Sequence, residues 1–222
     1  MPSPLLGPRV RTYGTRVSPL AVLWHLGIGP AVIVAALVTR AVVDSDAVLV
    51  GVLVGVLVLI VSAAFLAWSA SAYLTLHHHG LVVGRRILGG TPREMLFTEI
   101  HPASIRVFTG IDDVRPLRGG QRVIRPRWHF APGADLAVTF VGPEPSAVPS
   151  APPRPPLPGR GLVVFGSQEA AGIAEELRSG LERAGCPPHL SRWSQRFPAG
   201  PLPGTGARAE SAIPGADPRW AP

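Results

Sequence analysis

The stretch YLTLHHHGLVVGRR, residues 73–86, decides how the rest of the chain is read. It stands where a long apolar run ends. Leu74 and Leu76 alternate with Tyr73, Thr75 and His77, the period of a strand with one buried face. Apolar residues resume at Leu81, after Gly80. Two such runs joined by a short polar stretch ending in glycine predict a β-hairpin. The chain changes here from helical, apolar sequence to short strands.

The three histidines raise the question of a metal. In a strand, His77 and His79 share a face and His78 opposes them, so the three do not converge on one ion without a special turn. Zinc takes three or four protein ligands, and His101, His129 and Cys186 stand at no supporting spacing. A turn is the expected role, with no metal and no cofactor. A pH-sensing role at a membrane surface is a second expectation, because an imidazole titrates near pH 6.5, about the physiological range.

Upstream lie two apolar runs. Val17 to Thr39 carries no charge apart from a protonatable His25, and Ala47 to Leu76 carries none. As a helix the first run spans about 34 Å, at about 1.5 Å per residue. The hydrocarbon core is about 30 Å thick, so each run can cross it. The link TRAVVDSDA is short and no small-residue cleavage site stands out, which argues against a signal peptide. The expected unit is a transmembrane helical hairpin, residues 17–72.

Arg9, Arg11 and Arg16 precede the first span, and Arg85 and Arg86 follow the second. The link carries Arg40 against Asp44 and Asp46. The positive-inside rule then puts both termini in the cytoplasm and the link outside. Trp24 and Trp68 fall near one interface in such a hairpin. Gly51 and Gly55 form a Gly-x-x-x-Gly on the second span, and Ala31 and Ala35 a similar pair on the first. Small residues let membrane helices approach closely. The two pairs either pack the hairpin or form a seam between two copies.

Downstream, EMLFTEI (94–100), SIRVF (104–108), DLAVTFV (135–141) and GLVVF (161–165) read as strands. SQEAAGIAEELRSGLERAG reads as an amphipathic helix, with Ser167 as N-cap, Gly185 closing it and Pro187 and Pro188 forbidding continuation. Ala170, Ile173, Ala174, Leu177, Leu181 and Ala184 share its apolar face. Residues 142–160, GPEPSAVPSAPPRPPLPGR, are too rich in proline for a sheet and predict an extended surface loop. The tail 187–222 lacks periodicity and is expected to be disordered.

A membrane hairpin, then YLTLHHHGLVVGRR, FTEIHPASIRVF, a last strand and one amphipathic helix together resemble the bacterial pleckstrin-homology-like (PH-like) membrane proteins. The resemblance covers 73–185 and the spans before it. It implies a strongly bent antiparallel β-sheet capped by a C-terminal α-helix. It also implies binding of lipid or protein, with no known catalytic residue. The expected organisation is a cytoplasmic N-terminal segment (1–16), the hairpin (17–72), the PH-like domain (73–186) and the tail.

The chain carries a net charge of +7, with 21 basic residues against 14 acidic ones. Every basic residue is arginine, which looks like the bias of a GC-rich genome and lowers the weight of any arginine cluster. The densest cluster is Arg115, Arg118, Arg122, Arg125 and Arg127, closed by Trp128. Near a cytoplasmic leaflet such residues contribute about 1 kcal/mol each toward anionic lipid. The alternative is a solvated hairpin. No helix-turn-helix, zinc or RNA-binding motif accompanies the charge, so nucleic acid is not an expected partner. No nucleophile elbow, P-loop or dinucleotide fingerprint is present, and no acid/base pair stands out. The single cysteine, Cys186, excludes an intramolecular disulfide. The expected function is therefore non-catalytic. It is a membrane scaffold that binds a protein partner or a second copy of itself, or a sensor of anionic lipid through 115–127.

Overall fold

A pair of apolar helices runs directly into a pair of hydrogen-bonded strands, and this continuity organises the molecule. The computed structural model describes residues 4–43, 47–87, 91–110, 127–129, 134–143 and 161–201, with only the backbone path given for 40–43, 47–48 and 127–129. Strand β1 (Arg9–Gly14) leads into helix α1 (Pro19–Val43), and helix α2 (Ala47–Ala70) leads into strand β2 (Ala72–His77).

Both helices are long and apolar enough to cross a membrane. Over their most apolar 18-residue stretches, Pro19–Thr39 and Leu49–Ala70 have mean hydropathies of 2.1 and 3.0, with only 6% and 11% of those residues buried. The core helix of a water-soluble domain buries its apolar face. Here Leu20, Leu23, Val34, Leu53, Leu57 and Ile60 all stand exposed. α1 continues through Pro30. Ser18 Oγ accepts from the Ala21 N–H at the start of α1, and His25 Nδ1 lies 2.8 Å from the Ala21 carbonyl, which satisfies the ring one turn later.

Beyond the helices, β2 pairs antiparallel with β3 (Gly80–Arg85), the hairpin expected from 73–86, and β3 with β4 (Arg93–Leu96). β1 adds to the other side of β2, giving the sheet order β1-β2-β3-β4. The N-terminal segment is thus a strand of the sheet, with a bulge between Arg9 and Arg11. After β4 the chain takes two 3-10 turns, Phe97–Glu99 and Pro102–Ser104. The expected strand over 94–100 stops at Leu96, where the Glu99 carboxylate accepts from the Leu96 N–H at 2.8 Å and the Ile100 N–H closes the turn on the Phe97 carbonyl.

A second sheet follows, in the order β6-β8-β7-β5-β9, from β5 (Arg106–Thr109), β6 (Arg127–His129), β7 (Leu136–Val141), β8 (Leu162–Gly166) and β9 (Gly200–Pro201). Instead of one antiparallel sheet there are two, and the second is mixed, since β6 runs parallel to β8 and β9 parallel to β5. Helix α3 (Ala170–Arg183) covers them. Its N-cap is Glu169, and Ser167 supports the turn before it by accepting from the Glu169 N–H. Ile173, Ala174, Leu177 and Leu181 meet Leu74, Leu76, Leu81, Val83, Phe97, Phe140 and Phe165 in one core. Each of these larger apolar side chains, Ala174 aside, contributes about 1.5–3 kcal/mol of burial. Ala184, expected on this face, lies exposed past the helix end. A Cβ on Gly180 would stand 2.5 Å from the Phe97 ring, so glycine lets that ring rest on α3.

The tail departs from expectation. Residues 187–201 are folded, through helix α4 (Pro188–Ser191), a 3-10 turn (Trp193–Arg196) and β9. Side-chain pairing replaces the missing apolar period. Arg192 Nε donates to Glu182 at 2.7 Å, and Ser191 Oγ to the same carboxylate at 2.8 Å. These bonds hold the Glu182 carboxyl below its ordinary range. Ser194 Oγ donates to the Ile105 carbonyl, and the buried Arg178 reaches both groups at 3.3 Å. Residues 202–222 lie outside the described residues.

Candidate functional site

Where the helices meet the sheet, the end of α2 is closed by side chains from three segments. The last carbonyls of a helix have no partner within it. Arg85 Nη1 donates to the Trp68 carbonyl at 2.8 Å, Ser71 Oγ to the same carbonyl at 2.6 Å, and Thr15 Oγ1 to the Ser69 carbonyl at 3.1 Å. The Arg85 guanidinium also lies over the Trp68 ring, 3.8 Å from its centroid. Burial lowers the Arg85 pKa from its ordinary range. Backbone bonds from Thr15 to Ala72 and from Arg86 to Ser71 extend the ladder to the helix end. The sheet is therefore fixed to the helices without a linker.

On β2, Leu74 and Leu76 enter the core, while Tyr73, Thr75 and His77 occupy the opposite face. There they line a groove of about 370 Å³ with Arg9, Val82, Pro92 and Glu94. Registers Thr12↔Thr75, Thr75↔Val82 and Val82↔Glu94 place one row straight across all four strands. The Thr12 and Thr75 hydroxyls bond at 2.9 Å. His77 Nδ1 lies 2.9 Å from the Gly7 carbonyl, an acceptor, so this nitrogen carries the proton and Nε2 is left to accept in the neutral ring. The groove thus combines an apolar floor of Val82 and Pro92 with a guanidinium, a carboxylate and an imidazole. That set suits an extended peptide, which presents apolar side chains and backbone polar groups together.

The remaining histidines form the β2–β3 turn. The His78 and His79 N–H groups donate to the Pro8 and Leu6 carbonyls, both at 3.0 Å, so the turn is held by the N-terminal segment. Among the described residues, no group of three His, Cys, Asp or Glu side chains is placed to hold a metal.

Of the small pairs, Gly51 and Gly55 face α1. A Cβ on Gly51 would stand 2.5 Å from Ala36 Cβ, and one on Gly55 would run into Ile33 and the Gly29 carbonyl. Ala31 and Ala35 lie on the exposed side of α1, so Gly29, Ile33 and Ala36 form its share of the hairpin seam instead. The reason is phase. Residues four apart share a face, and the face that meets Gly55 is the one carrying Gly29 and Ile33.

Arg115, Arg118, Arg122 and Arg125 fall outside the described residues. Arg127 and Trp128 lie in β6, opposite Val163 and Val164 of β8. The Pro-rich loop falls outside the described residues from 144 to 160. Sequence reasoning missed Arg9 and Glu94 as groove residues. Thr12 and Tyr13 within Arg-Val-Arg-Thr-Tyr-Gly carry the composition of a strand, and that was the available signal. No family model, curated protein or solved structure matches this chain.

Proposed function

We propose that this chain is a membrane-anchored binding module of PH-like type, with no catalytic role. Its two helices cross the inner (plasma) membrane, both termini lie in the cytoplasm, and the sheet domain recruits a protein partner through the groove on β1–β4. The observation that carries the reading is the groove itself. It is formed on strands that continue directly from the apolar helices and holds charged and apolar groups side by side. Arg16, Arg85 and Arg86 at the sheet end of the helices, against a link with two aspartates, support the orientation. Several charged side chains of the domain serve structure. Arg11 pairs with Glu169 and Glu176, and Arg192 with Glu182.

The test is a photo-crosslinking residue placed at Val82 in the full chain, in its own membrane, with Gln168, exposed and outside the groove, as control. A discrete protein adduct at Val82 and none at Gln168 supports recruitment. Equal labelling at both positions, or none at either, overturns it. A second reading, contact with anionic lipid through Arg115, Arg118, Arg122, Arg125, Arg127 and Trp128, draws on the further arginines at the membrane end. Lipid adducts at Val82 in place of protein would favour it.

A further inference from the structure

The turn histidines line a second recess, separate from the groove. It measures about 530 Å³ and lies between His78 and His79 of the β2–β3 turn, Leu96 and Thr98 beside the first 3-10 turn, and Arg183 and Ala184 at the end of α3. We propose that this recess binds a soluble phosphate-bearing anion.

Charge selects the ligand class. Two imidazoles and a guanidinium meet at the recess, and none of the three makes a hydrogen bond or ion pair among the described residues. The imidazole rings stand 5.8 Å apart, tilted by 58°. Among the described residues, no carboxylate lines the recess. The nearby acids are committed elsewhere, Glu99 to the Leu96 N–H at 2.8 Å and Glu182 to Ser191 and Arg192. A divalent cation would meet the Arg183 charge and only two adjacent ligands, which disfavours a metal. A guanidinium matches the oxygens of phosphate in a two-pronged geometry. Thr98 adds a hydroxyl, and Leu96 an apolar wall.

The C-terminus of a helix ordinarily repels an anion. Here the final carbonyls are taken up. Ala184 N–H donates to Gly180, Gly185 N–H to Glu182 and Cys186 N–H to Leu181, with Gly185 at a φ of 93°. This closure weakens the repulsion and leaves Arg183 to set the local sign.

Position selects the source. β2 carries the chain six residues away from the end of α2, about 20 Å at about 3.3 Å per residue. Surface potential fades within a Debye length of about 8 Å. With the helices in the bilayer as proposed above, and β2 rising from their end, the recess faces the aqueous phase and not the chain's own lipid headgroups. Its volume suits a ligand of nucleotide size, since such sites run from about 300 to 1,000 Å³.

The test uses the full chain in nanodiscs of neutral phosphatidylcholine, titrated by calorimetry with inorganic pyrophosphate and with adenosine diphosphate. One-to-one saturable binding is expected for at least one probe. Arg183→Gln should weaken it by about tenfold, the loss of one charge-assisted contact, and the His78→Gln/His79→Gln double variant should weaken it further. Arg196→Gln removes an equal charge on an exposed residue outside the recess and should leave affinity unchanged. No saturable binding with either probe in the millimolar range overturns the proposal. So does equal weakening by Arg196→Gln, which would mark a diffuse charge effect. Competition by phosphatidylglycerol vesicles added separately would reassign the source to a lipid headgroup and overturn the soluble ligand.

Discussion

Arg85 holds Trp68 twice, by a hydrogen bond of 2.8 Å to its carbonyl and by stacking at 3.8 Å over its ring. One side chain therefore fixes both the backbone and the side chain at the end of α2. Arg85→Ala should cost about 1–3 kcal/mol, since it removes one of two donors to the Trp68 carbonyl and a cation–π contact. Arg85→Lys should recover only part, because an ammonium cannot stack flat and donate sideways as a guanidinium does. Thermal unfolding in detergent, with hydrogen exchange at Ser71 and Ala72, would show the loss and its place.

The hairpin seam gives a contrast within one helix pair. Gly55→Leu should force α1 and α2 apart at an overpacking cost of about 1–3 kcal/mol. Ala31→Leu changes an exposed position on α1 and should leave the hairpin unchanged. A lowered Tm for Gly55→Leu alone assigns the small residues to the seam. A lowered Tm for both would show that the exposed face of α1 is also covered.

The C-terminal segment is held through one buried guanidinium. Arg178, 8% exposed, lies between Glu175, the Ile105 carbonyl and Ser194. Ser194→Ala should cost about 1–3 kcal/mol by leaving buried polar groups short of a partner. Deleting residues 187–222 should cost more, since it removes Ser194 and also uncovers Arg178. Thermal unfolding of the two variants beside the full chain would rank them by loss of Tm.

His101 supplies a pH dependence. Burial lowers its pKa below the ordinary imidazole value, with a backbone hydrogen bond opposing in part. The unfolded chain then binds the proton more readily than the folded one, between the lowered pKa and about 6.5. Stability should be full above that window and fall as the pH falls through it. His101→Gln should flatten this slope. Tm measured from neutral to mildly acidic pH in both chains would test it, and parallel slopes would count against His101.

The sequence showed strongly periodic elements best. β2, β7 and α3 each carry their apolar residues at one clear period, and β8 shows as a short continuous apolar run. The two apolar helices were equally plain from Val17–Thr39 and Ala47 onward. β1 was hidden because its partner β2 lies about sixty residues away and its arginines read equally well as flanks of a membrane span. The folded part of the tail was hidden because polar pairs, Arg192 with Glu182 and Ser194 with Ile105, order it in place of apolar period. The groove was invisible for a related reason. It exists only once β1 and β4 flank the β2–β3 hairpin and bring Arg9 and Glu94 to its two sides.

If the groove recruits a partner as proposed, the direct passage of α1 and α2 into neighbouring strands also limits where that partner can be met. A domain on a slack tether sweeps a deep hemisphere, whereas this one is held at a single height. With the hairpin in the bilayer, the groove begins at Tyr73 beside the helix end and extends only about 13 Å outward to His77, four residues at about 3.3 Å each. A partner anchored in the same bilayer shares that thin layer and meets the groove at an effective concentration set by two-dimensional confinement. A freely diffusing partner has no such advantage. On the proposed reading, the architecture thus favours lateral encounters between membrane neighbours over capture from the cell interior.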